Sequence, residues 1–180
     1  SKEPVQSEFA LVCENAASGI KEAMSGANRI VGEIDLFGSI PHCELPYFGK
    51  PDYGEGRVEL KTQWDQAAHT DNPRANSLPK KIKAPHMTQL AGYWHISKIV
   101  PKIVYANRLG FVILEPTLEE LQYALHDISM ACRRREKLMK VADDAVELLN
   151  LTDPHFADSF VWRDLSPSVM RKAKELFGRT

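Results

Sequence analysis

The sequence predicts a mixed α/β layer fold, and three observations carry that prediction. Short apolar runs of strand length fall at 29–37, 57–63, 102–106 and 111–115. Helix-length segments with an apolar stripe stand before, between and after them, in the order α-β-β-α-β-β-α-α. No internal repeat and no second domain boundary interrupts the series, so residues 1–180 read as one domain with a core of its own.

The first helix is expected over about Ser7 to Met24, where Ala10, Leu11, Ala17, Ile20 and Ala23–Met24 give the stripe and Ser25-Gly26 end it. Arg29 to Phe37 reads as the first strand and Arg57 to Gln63 as the second. Between them, Ser39 to Gly56 is rich in Pro and Gly and reads as a long irregular connection. Gln66 to Pro85 has no periodicity, carries Pro73, Pro79 and Pro85, and reads as a loop of the length that is usually functional. His86 to Ile99 is a helix stopped before Pro101. Two strands, Lys102 to Ala106 and Phe111 to Glu115, surround a turn. Thr117 opens a long helix, with Glu120 three positions on as a capping box and a stripe of Leu118, Leu121, Leu125, Ile128 and Leu138. Ser166 to Phe177 is a last helix, amphipathic and basic.

Composition narrows the function classes. With 43% apolar and 26% charged residues the chain reads as globular. No run of about 18 apolar residues occurs, so no membrane span is expected. The net charge is −1 and the pI about 6.6, so the chain is no bulk polycation and nucleic-acid binding would need a local basic surface. Cys13, Cys43 and Cys132 are odd in number and widely spaced. They do not suit a disulfide framework, a zinc site or an iron–sulfur cluster. Inert thiols fit a reducing compartment. With no signal-peptide pattern visible, the cytoplasm of a phage-infected or bacterial cell is the expected location, an organelle being the alternative.

The chemistry is suggested by charges in strands that ought to have none. Asp35 stands among apolar neighbours in IVGEIDLFG, with Glu33 two positions earlier; Glu59 and Lys61 share one face of VELKT. If the two strands pair, Asp35, Glu59 and Lys61 converge. Two close carboxylates repel unless a cation sits between them, and a hard divalent ion such as Mg²⁺ or Mn²⁺ suits them. The Leu60 carbonyl is a further possible ligand, and Lys61 would stand beside a metal-held water and offset phosphate charge. The alternative is an ion pair, or charges on the wet face of an edge strand. Downstream, Gln89 and Tyr93 lie four apart on one helix face.

In order, GEID (Gly32 to Asp35), ELKT (Glu59 to Thr62) and QLAGY (Gln89 to Tyr93) resemble the RecB-type branch of the PD-(D/E)XK nucleases. That branch shows a G-x-x-D strand, a (D/E)-x-K-T strand and a Q-x-x-x-Y helix. The resemblance spans about residues 7–115. It implies a restriction-endonuclease-like core, a central mixed sheet flanked by helices, with 117–180 as a helical C-terminal extension. It also implies a Mg²⁺- or Mn²⁺-dependent deoxyribonuclease, most simply an exonuclease of recombination, repair or genome processing. On that pattern Asp35 and Glu59 are metal ligands with the Leu60 carbonyl, and Lys61 is the catalytic lysine. Gln89 and Tyr93 contact DNA or brace the site. A first-helix acid, Glu14 or alternatively Glu22, joins the metal.

The partner implied is DNA, with a second copy or a recombination protein as a further one. Phosphate contacts are expected from Lys80, Lys81 and Lys83, then from Lys98, Lys102 and Arg133 to Arg135. Trp64 and Tyr93 could stack on a base at a strand end. His86 and His95 flank the Q-x-x-x-Y segment as structural or DNA-proximal residues. Two other readings stay open: an endonuclease on the same core, and a DNA-binding or assembly module without chemistry.

Overall fold

The computed structural model describes residues 3–27, 31–54, 56–63, 77–144, 147, 151 and 166–176. Residues 1–131 and 132–180 form two compact units. Helix α1 (Glu3–Ala23) opens the first. Strands β1 (Leu36–Ser39), β2 (Pro46–Gly49) and β3 (Val58–Thr62) follow, then helix α2 (Ala84–Ser97), strands β4 (Lys102–Asn107) and β5 (Gly110–Leu114), and helix α3 (Leu118–Val141). Helix α4 (Pro167–Leu176) lies in the second unit. The architecture is α/β, with a mixed three-stranded sheet flanked by helices. Among the described residues no helix is long and apolar enough to cross a membrane.

The sheet runs β3-β4-β5. β3 and β4 are parallel, with Glu59 beside Ile103 and Lys61 beside Tyr105; β5 returns antiparallel to β4. The parallel pair needs a crossover, and α2 lies within it. β4 is the central strand and its Ile103 to Ala106 are fully buried, as continuous apolar runs covered on both faces should be.

Helix α1 covers one face. Val12, Ala16, Ile20 and Ala23 recur at helical spacing on its buried side, and Ile20, Ala23 and Met24 pack with Val58 and Val104 against Leu60, Phe111 and Ile113. Each Val, Leu, Ile, Phe or Met side chain contributes about 1.5–3 kcal/mol when fully buried, and an Ala methyl less. Because side chains alternate along a strand, Glu59 and Lys61 are turned to the opposite face from Val58 and Leu60. The capping box of α3 forms as expected: Thr117 N–H donates to Glu120 Oε2 at 2.8 Å and Glu120 N–H to Thr117 Oγ1 at 3.2 Å. Within α3, Leu121, Ala124 and Ile128 are buried, whereas Leu118, expected in the stripe, is exposed.

The region before β3 departs from expectation. The strand expected over 29–37 is displaced: β1 starts at Leu36, leaving Asp35 outside it, and residues 28–30 lie outside the described residues. The connection expected to be irregular contains β2, which pairs antiparallel with β1 as Leu36–Gly49 through Ser39–Pro46. The isolated bridge of Gly32 with Tyr53 keeps that register. It sets Asp35 across from Lys50, and Glu33 across from Asp52. Tyr53 bridges Val58 in turn, which sets Asp52 across from Glu59. The first strand therefore does not pair with β3; the returning arm of its own hairpin stands between them. Pro46 and Pro51 hid that arm in the sequence, since Pro is tolerated in edge strands and at strand ends while reading as a breaker.

Candidate active site

The site is built on the sheet face opposite α1. Glu59 is 2% exposed, on a strand where a carboxylate must find partners or take up a proton. Its Oε1 accepts from Lys61 Nζ and, at 2.8 Å, from Gln89 Nε2. Its Oε2 is buried and has no hydrogen-bond partner. Burial raises the Glu59 pKa above the ordinary carboxylate value, and the charge of Asp52 adds to the rise. The bond from Lys61 and the backbone N–H of Asp52 act against it.

Asp52 enters from the hairpin. Its Oδ2 accepts the Leu60 N–H at 2.8 Å. In a parallel pair, alternate residues of a strand bond to one neighbour; Arg57 O and Gln63 N–H serve β4, so Leu60 turns its N–H and C=O the other way, towards the 51–52 segment. Across from Leu60 the register puts Pro51, which has no N–H to offer the Leu60 carbonyl. The ladder stops after Tyr53–Val58, and the Asp52 carboxylate takes the place of the next backbone acceptor.

Helix α2 closes the other side. Gln89 Nε2 also donates to Tyr93 Oη at 2.6 Å, and Tyr93 donates to the Lys50 carbonyl at 3.1 Å. Tyr93 is 2% exposed, and burial pushes its pKa well up, so it stays a neutral donor. The chain Glu59–Gln89–Tyr93–Lys50 thus ties β3 to the arm that carries Asp52. It depends on close approach: a Cβ on Gly49 would sit 2.6 Å from the Tyr93 ring, and one on Gly92 2.5 Å from that of Tyr47.

Of the expected site residues, the structure brings Glu59, Leu60, Lys61, Gln89 and Tyr93 together. It does not bring Asp35 to them. Asp35 is exposed, and its electrostatic neighbour is Lys50, which is ion-paired at 2.7 Å with Glu33. Glu14 and Glu22 are exposed on α1, off its buried stripe and on a helix packed against the far face of the sheet. Lys80, Lys81 and Lys83 are exposed just ahead of α2, whose start at Lys83 has no side-chain cap. Trp64 lies outside the described residues. Tyr93 braces the site and is too buried to stack on a base; Gln89 likewise spends its N–H donors inside.

The residue that sequence reasoning missed is Asp52. Its signal was present: Gly49-Lys50-Pro51-Asp52 repeats the G-x-x-D spacing of Gly32 to Asp35, seven positions ahead of Glu59. The donor set is two carboxylates and a carbonyl, all hard oxygens, with one buried oxygen unpartnered. That fits a small divalent cation such as Mg²⁺, which needs only one or two carboxylates and keeps several waters. Among the described residues no group of three or more His, Cys, Asp or Glu is gathered for a metal. No family model, curated protein or solved structure matches the chain.

Proposed function

We propose that the chain is a metal-dependent DNA nuclease of the PD-(D/E)XK kind, acting on ends as an exonuclease. One observation carries the reading. A buried carboxylate, Glu59, offers one oxygen to Lys61 and Gln89 and leaves the other without a partner beside Asp52. Pro51-Asp52 followed by Glu59-Leu60-Lys61 supports it further, since that order is the pattern after which the family is named. The fold implied is the restriction-endonuclease-like core, with α1 behind the sheet and α2 beside the site.

Asp52, Glu59 and the Leu60 carbonyl would hold Mg²⁺ or Mn²⁺. When bound, the ion would polarise the phosphodiester and offset charge that develops on its oxygens. Lys61, paired to Glu59, holds its ammonium at the same spot and adds a fixed positive charge for the phosphate. Gln89 fixes the orientation of Glu59, and Tyr93 fixes Gln89. The exposed lysines 80, 81 and 83 supply sequence-independent contacts to the backbone of DNA.

The test is cleavage of end-labelled linear DNA and of a covalently closed circle, with Mg²⁺, with Mn²⁺ and with EDTA. Metal-dependent loss of the linear DNA with an intact circle is expected. Cutting of the circle would make the protein an endonuclease. Binding without cleavage under either metal would replace the proposal by a DNA-binding module.

A further inference from the structure

Helix α2 presents more to this site than the Gln89–Tyr93 pair. His86, Gln89 and Tyr93 are spaced i, i+3, i+7 and so form one row along the helix. Gln89 stands at Glu59; His86, one turn nearer the helix start, stands at the next outward pair of the sheet, Lys61 and Tyr105. Tyr105 is fully buried, and its hydroxyl lies 2.7 Å from His86 Nδ1, with the two rings 5.5 Å apart.

The protons on this pair can be placed. Tyr105 Oη accepts the Lys83 N–H at 3.2 Å. Its own proton needs an acceptor, and among the described residues His86 Nδ1 is the one within reach. If Nδ1 carried a proton instead, the buried tyrosine proton would be left without a partner, which costs more than a hydrogen bond returns. Nε2 therefore holds the imidazole proton, and among the described residues it has no partner. The ring is kept neutral: burial lowers its pKa, and the charges of Lys61 and Lys83 lower it further.

We infer that His86 is a phosphate-contacting residue, donating Nε2–H to a substrate phosphate oxygen on the Lys61 side of the site. This rests on the nuclease reading. A neutral donor suits the place, because a third cation next to Lys61 and Lys83 would raise the cost of the empty site. The contact is made equally to any nucleotide, so it serves affinity and not sequence choice.

The experiment follows cleavage of an end-labelled linear DNA duplex in Mg²⁺ by the parent and by His86→Ala, His86→Gln and His86→Asn, with binding of the same duplex measured in EDTA. Gln carries its amide N–H near the position of Nε2, and Asn carries its amide oxygen, an acceptor, near that of Nδ1. Loss of the donor is expected to raise KM about three- to tenfold in the Ala and Asn variants with little change in kcat, and Gln is expected to restore it. If His86 only anchors Tyr105, Asn rescues and Gln does not, and the inference is overturned. An active parent whose variants all keep its KM overturns it too, while leaving the nuclease reading in place. Should the Ala variant not fold, the contrast between Gln and Asn still decides. A parent that neither cuts nor binds DNA overturns both.

Discussion

The chain carries two Gly-x-x-Asp segments, Gly32 to Asp35 and Gly49 to Asp52, on the two arms of one hairpin. The first ends in an exposed acid whose surroundings are Lys50 and, through Lys50, Glu33. The second ends in an acid that accepts the Leu60 N–H and pushes up the pKa of a buried glutamate. Even their glycines differ. A Cβ on Gly32 would meet nothing within 4 Å, whereas one on Gly49 would enter the Tyr93 ring. A four-residue signature therefore says little about chemistry until the strand beside it is known.

The largest contrast is expected in activity. Under the proposed function, Asp52→Asn should cut the cleavage rate at least about 100-fold, as removal of an active-site charge partner does, while Asp35→Asn stays within about threefold. Cleavage of linear DNA in Mg²⁺ measures both. The reverse order would move the site to the outer arm of the hairpin.

The glycines give the next contrast, read by chemical denaturation. Gly49→Ala forces an aromatic ring to move and should cost about 1–3 kcal/mol, with Tyr93 and Gln89 displaced from Glu59. Gly32→Ala has open space and a backbone that any residue adopts, so it should change stability by less than about 1 kcal/mol, in the stabilising direction.

Glu59 predicts a pH dependence. Its folded pKa lies above the ordinary 4.5, so in that window the folded state binds the extra proton. Its contribution is present below pH 4.5 and is lost as pH rises through the raised value. Thermal melts of the metal-free protein across that range should show a downward slope that Glu59→Gln removes. Asp52→Asn should shrink it by removing a repelling charge, and Asp35→Asn should leave it alone. Mg²⁺, which favours the ionised carboxylates, should flatten it as well.

The smallest effect belongs to the outer arm. The Glu33–Lys50 ion pair is half exposed on both sides, so Glu33→Gln should change stability by no more than about 1 kcal/mol and less in high salt. A larger loss would mean that the pair holds the hairpin arm, and with it Asp52, in place.

Much of the fold was legible because its causes are local. The apolar pattern up to Met24 makes a helix and Thr117 with Glu120 makes a helix start, whatever surrounds them; yet the buried side of that first helix is Val12, Ala16, Ile20 and Ala23, while the expected Ala10, Leu11 and Ala17 are exposed, so packing set its rotation. The strand pair around Asn107 to Gly110 and the stop of α2 before Pro101 are of the same kind. Half of the site was legible for a related reason. Glu59 and Lys61 share a strand face and Gln89 and Tyr93 a helix face by periodicity alone, and burying such charges demands that they meet.

What the sequence by itself determined, then, is the set of elements and the polar face that each presents. Only the tertiary structure decided which acid meets Glu59. That choice rests on lateral register: the hairpin interposes residues 50–53 between Asp35 and β3, and Pro51, lacking an N–H, ends the ladder where the Asp52 carboxylate takes up Leu60. It also decided that α1 lies behind the sheet, which removes Glu14 and Glu22 from the site, and that His86 meets Tyr105, the strand neighbour of Lys61. Periodicity reports the side of an element that is buried; contacts between elements far apart in the chain are set by the packing that joins them.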